Sequence, residues 1–159
     1  METTGVILYA EDDENDVFLM QRAFKQAGVS NPLLILPDGH RTVDYLLGKG
    51  QYSDRAAYPL PHLILLDLKL IGISGLDILK LVRATQSTAS TPVLILTSSF
   101  EDQDIHRTYL QGANAYLAKP SSPDRLLIMV QAIRDFWILQ NHVPRDYMDP
   151  EANGFPAGM

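Results

Sequence analysis

The residues able to do chemistry fall at the ends of short apolar runs. Glu11, Asp12 and Asp13 follow Val6–Ala10, and Asp67 closes the run that starts at Leu63. Thr97 and Ser98 end Val93–Thr97, and Lys119, joined to Pro120, follows Ala115–Ala118. Carboxylates about 4–6 Å apart repel and raise one another's pKa. A divalent cation removes the conflict, and oxygen ligands without His or Cys favour Mg²⁺. Such an ion clamps the equatorial oxygens of a phosphoryl group in transfer. A lysine ammonium is a second, point-like clamp, and a hydroxyl can bond a third oxygen. A carboxylate can itself be the nucleophile and carry an acyl phosphate.

Each residue also has an ordinary reading. Acids after a strand cap the next helix and suit its dipole, and Asp13, with Asp16 three residues on, fits that role. Thr97 is a normal β-branched strand residue. Ser98 or Ser99 could cap the following helix, with Glu101 and Asp102 in its first turn. Lys119 alone would be a solvated lysine. Asp67 is harder to dismiss, because a charge directly ending Leu63–Leu66 is unusual and Asp67-Leu68-Lys69-Leu70 does not start a helix.

The elements that must position these groups alternate strictly. Strands are expected at Val6–Ala10, Leu33–Leu36, Leu63–Asp67, Val93–Thr97 and Ala115–Ala118. Most are continuously apolar, as in a parallel sheet covered on both faces. Helical spacing predicts Asn15 to Ala27, stopped at Gly28, and His40 to Leu47, stopped at Gly48. A third helix covers Leu76 to Ala84, with Leu76, Leu79, Val82 and Arg83 on its turns. A fourth comes after Phe100 and stops at Gly112. The last runs from Pro123 to Leu139 or Gln140. Five β-α units in alternation mean a doubly wound α/β sheet. Ligands bind such sheets beyond the carboxyl ends of the strands, at the switch point in strand order. Acids, hydroxyl and lysine then share one rim.

The chain has 159 residues and is expected to form one domain over 1–142, with a long loop at 48–61 on the strand-start edge and a flexible tail over 143–159. Its net charge of −6 argues against a bare nucleic-acid binder. The absence of cysteine excludes disulfide scaffolds, thiolate metal sites and cysteine nucleophiles. No apolar run approaches the length of a membrane span, so neither membrane nor nucleic acid is expected as a partner, and the cytoplasm is the expected location. His40, His62, His106 and His142 lack metal-ligand spacing.

At Tyr9-Ala-Glu-Asp-Asp, Leu65-Leu-Asp-Leu-Lys, Ser74-Gly-Leu-Asp, Leu94-Ile-Leu-Thr-Ser-Ser and Gly112-Ala-Asn-Ala-Tyr-Leu-Ala-Lys-Pro the chain resembles the receiver domains of bacterial response regulators. The likeness covers about Gly5 to Gln140. The Tyr/Pro loop before the third strand, and Phe136-Trp137 in the last helix, further resemble the small stand-alone regulators that partner cyanobacterial phytochromes. The resemblance implies a flavodoxin-like five-stranded parallel sheet, order 2-1-3-4-5, with helices on both faces. It implies Asp67 as phospho-acceptor and Mg²⁺ as cofactor, held by Glu11, Asp12, Asp67 and the backbone carbonyl of Lys69. Asp12 matches the direct ligand, Glu11 one acting largely through water, and Asp13 the helix cap. Lys119 matches the lysine that contacts the phosphoryl group, with a cis bond to Pro120. Thr97 matches the switch hydroxyl, Tyr116 the aromatic that turns inward, and Gly75 the glycine that opens the third helix. Ile71 departs from the family, which usually has proline before Gly72.

The resemblance thus implies a phospho-accepting signalling protein, not an enzyme in its own right, fed by a histidine kinase, with a phytochrome-type sensor as the expected one. Without an output domain its signal must leave by protein contact. The last helix, from Leu126 to Val130, at Ile133 and from Phe136 to Leu139, is more apolar than a solvated helix, which predicts a homodimer through the fourth helix, fifth strand and fifth helix. Two rivals stand beside this. A haloacid-dehalogenase-type phosphatase needs a second Asp where Lys69 stands. A receiver-like adaptor would bind partners without phosphorylation. A flavin carrier is disfavoured, because Glu11, Asp12 and Asp13 would repel its phosphate.

Overall fold

The computed structural model of the chain describes residues 5–144. The tail expected over 143–159 lies outside that range except for its first two residues. The strands are β1 (Ile7–Ala10), β2 (Leu33–Leu36), β3 (Leu63–Leu66), β4 (Val93–Thr97) and β5 (Ala115–Ala118). The helices are α1 (Glu14–Gln26), α2 (Gly39–Leu47), α3 (Gly75–Ala84), α4 (Asp102–Leu110) and α5 (Pro123–Ile133). All strand pairs are parallel and the order is β2-β1-β3-β4-β5, the flavodoxin-like arrangement.

The continuous apolar runs result from burial on both faces. Leu8, Ala10, Ile64, Leu66, Val93 and Ile95 meet Tyr45 and Leu46 of α2 and Ile78, Leu79 and Val82 of α3. Ile7, Tyr9, Leu63, Leu65, Leu94 and Leu96 meet Met20, Ala23 and Phe24 of α1 and Leu126, Val130 and Ile133 of α5. Alternate residues of each strand thus feed opposite cores. The central strands are buried throughout, whereas β2 and β5, at the edges, are half-buried.

Val6 and Asp67 fall just outside the strands in which their apolar runs would place them. They keep the sheet's hydrogen bonding all the same: His62 N–H donates to the Val6 carbonyl (2.8 Å) and Asp67 N–H to that of Ala10 (3.2 Å).

The last helix runs without a gap to Ile138, close to the expected end, but changes form on the way. After Ile133 the chain widens into a π-helical turn over Arg134–Ile138, closed by bonds from Leu139 N–H to the Arg134 carbonyl (2.9 Å) and from Asn141 N–H to that of Phe136 (2.7 Å). A π turn inserts one residue and rotates the residues beyond it. Trp137 and Ile138 pack onto the α1/α5 core, Phe136 is left outside, and Arg134 Nη1 reaches the Ala27 carbonyl (2.6 Å).

In α3 the buried apolar residues are Ile78, Leu79 and Val82, while Leu76 lies at the core's margin. Arg83 points into the strand-start edge, donating to the carbonyls of Gly112 (2.9 Å), Ala89 (3.0 Å) and Thr91 (2.7 Å). The 48–61 segment is more ordered than a plain loop. It contains a 3₁₀ turn (Gly50–Tyr52), an edge-on cluster of Tyr45, Tyr52 and Tyr58, and Arg55 bonded to the carbonyls of Tyr45 (2.7 Å) and Leu46 (2.9 Å).

Candidate functional site

Register brings the acids together. Ala10 pairs with Leu36 on one side and Leu66 on the other, so the next residues, Glu11 and Asp67, emerge side by side at the switch between β1 and β3. Glu11 N–H donates to the Leu36 carbonyl (3.1 Å), extending the rung past the strand end. On the far side Lys119 N–H donates to the Thr97 carbonyl (2.8 Å), which carries the lysine over the same rim.

Oxygens of Glu11, Asp12 and Asp67 lie within 4.8 Å of one another. Glu11 is 1% and Asp67 5% exposed; Asp12 is half-buried. Lys119 Nζ sits among the acids, 2.5 Å from Glu11 Oε2, 2.9 Å from Asp67 Oδ2 and 2.9 Å from Asp16 Oδ2. Asp67 Oδ1 accepts the N–H of Lys69 (3.2 Å), so both oxygens of this carboxylate are held. Glu11 Oε1 accepts the N–H of Asp13 (3.1 Å), and its Oε2 the hydroxyl of Tyr9 (3.3 Å).

Four carboxylates against one ammonium leave the rim strongly negative. Burial pushes the Glu11 carboxyl up to about 7, although Lys119 and the Asp13 amide pull it down. Burial alone would lower the lysine, but its bonds to Glu11, Asp16 and Asp67 outweigh this and hold it above the ordinary value. Burial first, then Glu11, raises the Tyr9 hydroxyl so far that it stays protonated and remains a donor. The donor set fits a hard divalent cation: all oxygen, three carboxylates, no nitrogen or sulfur ligand.

Asp13 caps α1, accepting from Asp16 N–H (3.0 Å). Thr97 is fully buried at the end of β4; among the described residues its hydroxyl accepts only the Ser99 N–H, at 3.5 Å, and makes no bond to Asp67 or Lys119. Tyr116 is half-buried and donates to the Ser99 carbonyl (2.9 Å). The expected side-chain cap of α4 is not made: Glu101 occupies the cap position, and the Ser99 hydroxyl donates to Asp104 (2.6 Å). Lys69 is exposed.

Gly75 is demanded by contact. A Cβ there would overlap the Asp67 carbonyl oxygen, so α3 can start against the backbone of Asp67 only with glycine. The Lys119–Pro120 peptide is trans, contrary to the expectation drawn from the resemblance. X–Pro bonds favour trans by about 0.5–1 kcal/mol, and the lysine reaches the acids from the trans form.

Two site residues escape sequence reasoning. Asp16 reads as an ordinary first-turn acid, and only the fold brings it to Lys119. Tyr9 had a legible signal, a hydroxyl in the middle of an otherwise apolar strand, which must find a partner when buried.

A doubly wound sheet carries an acid triad and a lysine at its switch point, and the chain belongs to the response regulator receiver domain family, which it matches over residues 7–131. It is similar to the response regulator Rcp1 of Synechocystis, 35% identical over 133 residues covering 84% of this chain and 88% of that one. The structure of Rcp1 in its Mn²⁺-bound form superposes with a TM-score of 0.81 at 33% identity, over 89% of this chain and 99% of that one. The probable methanogenesis regulatory protein FilR2 of Methanothrix harundinacea is 32% identical over 143 residues, 90% of each chain. The phosphorylated cyanobacterial phytochrome response regulator RcpA superposes with a TM-score of 0.84 at 28% identity, over 90% of this chain and all of that one. Among the described residues no helix is long and apolar enough to cross a membrane.

Proposed function

We propose that the chain is a response regulator receiver that accepts a phosphoryl group on Asp67 from a histidine kinase, in a Mg²⁺-dependent step, and that the kinase is a phytochrome-type sensor. The observation that carries this is the buried Asp67 carboxylate, held by Lys119 on one oxygen and by the Lys69 N–H on the other, beside Glu11 and Asp12. Glu11, Asp12, Asp67 and the backbone carbonyl of Lys69 would hold the ion, Asp12 directly and Glu11 largely through water. When bound, it supplies positive charge to the phosphoryl oxygens.

An Asp67 oxygen attacks phosphorus in line as the bond to the kinase imidazole nitrogen breaks, and the imidazole leaves with the electron pair. Lys119, already against Oδ2, takes a phosphoryl oxygen. The added charge is about −1.5 to −2. It draws the Thr97 hydroxyl toward the phosphoryl group, and Tyr116 then exchanges its bond to Ser99 for an inward position. The surface of α4, β5 and α5 changes as a two-state shift. Tyr109 and Leu110 of α4 and Ile128 of α5 are exposed, which supports signalling by protein contact through a homodimer there. The same reading puts the protein in the cytoplasm, with neither nucleic acid nor membrane as partner. The likeness to RcpA, a phytochrome response regulator, supports the choice of kinase.

Acetyl phosphate with and without Mg²⁺, on native protein and Asp67→Asn, tests the reading. Labelling is expected only with Mg²⁺ and only with Asp67 present. Labelling of the variant, or none of the native protein, overturns it. Phosphotransfer from candidate kinases timed in seconds tests the partner, and a concentration-independent monomer mass rejects the dimer.

A further inference from the structure

Asp16 occupies the third position of α1, counted from the cap residue Asp13. An acid there ordinarily reaches back to the N–H of the cap residue and closes a capping box, or simply faces the helix dipole. The first option is taken by another residue, since the Asp13 N–H donates to Glu11 Oε1 (3.1 Å). The other half of the box is intact: Asp13 Oδ1 accepts the Asp16 N–H (3.0 Å). Asp16 is therefore fixed at its backbone while its carboxylate is released, and that carboxylate lies 2.9 Å from Lys119 Nζ.

The ammonium has three N–H groups and meets three carboxylates: Glu11, Asp16 and Asp67. Glu11 is a rigid anchor, buried and bonded to the Tyr9 hydroxyl and the Asp13 amide. An ammonium on a flexible four-carbon stem can spin about one anchor; two anchors set its rotation. We propose that Asp16 is a positioning residue for phosphoryl transfer: together with Glu11 it fixes the rotation of the Lys119 ammonium, so that the third N–H points at the group being transferred to Asp67. The inference rests on Asp67 being the phosphoryl acceptor. It assigns Asp16 a role apart from helix capping and apart from the metal-holding acids.

The test uses the full chain and the variants Asp16→Asn and Asp16→Ala, with acetyl phosphate as donor at saturating Mg²⁺. The maximal labelling rate of Asp16→Ala is expected to fall about ten-fold, and that of Asp16→Asn by less because its amide oxygen still accepts an N–H of the ammonium, with little change in the half-saturating donor concentration, since a positioned charge-assisted bond is lost or weakened beside the reacting group. An independent readout is the side-chain ¹⁵N resonance of Lys119, expected to be observable in the native protein and broadened by fast exchange in the variants. Asp16→Asn keeps the shape of the helix start and guards against a folding defect in Asp16→Ala. Unchanged rate and resonance in Asp16→Ala overturn the proposal. So does faster labelling through a lower half-saturating concentration, which would mean that Asp16 only repels the donor. If the native protein is not labelled on Asp67 at all, the acceptor reading itself fails, and this inference falls with it.

Discussion

Replacing Lys119 by methionine keeps most of the stem's volume and removes the ammonium that Glu11, Asp16 and Asp67 share. The ammonium bridges Glu11, Asp16 and Asp67, and the first and last of these are 1% and 5% exposed. Oxygens of Glu11, Asp12 and Asp67 lie within 4.8 Å of one another, and two unit charges at that distance repel by about 3.5 kcal/mol at an effective dielectric constant of about 20. Removing one partner of a buried ion pair costs about 3–5 kcal/mol. Lys119→Met is therefore expected to lose about 3–5 kcal/mol at pH 8 in chelator, a large share of the 5–15 kcal/mol typical of a domain. The pH dependence has a definite sign. Burial holds the Glu11 carboxyl near 7, above its ordinary 4.5, so the charged form is disfavoured in the fold. The penalty is absent below about 4.5, grows as pH rises toward 7 and is complete above it. Without the downward pull of Lys119 the Glu11 carboxyl titrates higher still, so the deficit of Lys119→Met should shrink as pH falls from 8 to about 7, where the native carboxyl also takes up its proton, and level off below it. Millimolar Mg²⁺ should also recover more stability in the variant than in the native protein. Urea unfolding followed by the fluorescence of Trp137, the chain's single tryptophan, reads all of this. A deficit that is the same at every pH and indifferent to Mg²⁺ would refute the reasoning.

Divalent cation binding should be proton-linked. With Glu11 near 7, apparent Mg²⁺ affinity is expected to fall up to about ten-fold per pH unit below that value, and a flat titration between pH 5 and 8 would count against it. Gly75→Ala drives a methyl group into the Asp67 carbonyl, so a loss of about 3 kcal/mol is expected in urea unfolding; a loss under about 0.5 kcal/mol contradicts the contact. Ile71 is 68% exposed in the loop after Asp67, and Ile71→Pro should alter the lifetime of the acyl phosphate more than it alters stability, where about 0.4–1 kcal/mol is the usual gain. Equal lifetimes in the two proteins would count against that view.

The strands and most helices were legible because burial on both faces leaves an unbroken apolar run, and the stops at Gly28 and Gly48 were legible because both glycines have positive φ. The rim was legible for a related reason. Charges at the ends of apolar runs are costly unless they share a purpose, and parallel register forces Glu11 and Asp67 together. The features that escaped depend on contacts between residues distant in sequence. Asp16 and Lys119 are 103 positions apart, and nothing local marks the acid as other than a helix-dipole partner. The π turn at Arg134–Ile138 is likewise set by packing, because an apolar segment of that density satisfies an α-helical pattern at every offset. The cap of α4 is a different case, a boundary shift: the helix starts at Asp102, so Glu101 holds the cap position, and Ser99 lies two residues before it, accepting the Glu101 N–H (3.4 Å).

The most direct test of the central claim locates the phosphoryl group chemically. Protein treated with acetyl phosphate and Mg²⁺, then reduced with borohydride, should give one converted residue on peptide mass mapping, a homoserine at position 67, and none when Mg²⁺ is chelated. Conversion at Glu11, Asp12 or Asp16 instead, or conversion indifferent to the metal, would contradict the assignment.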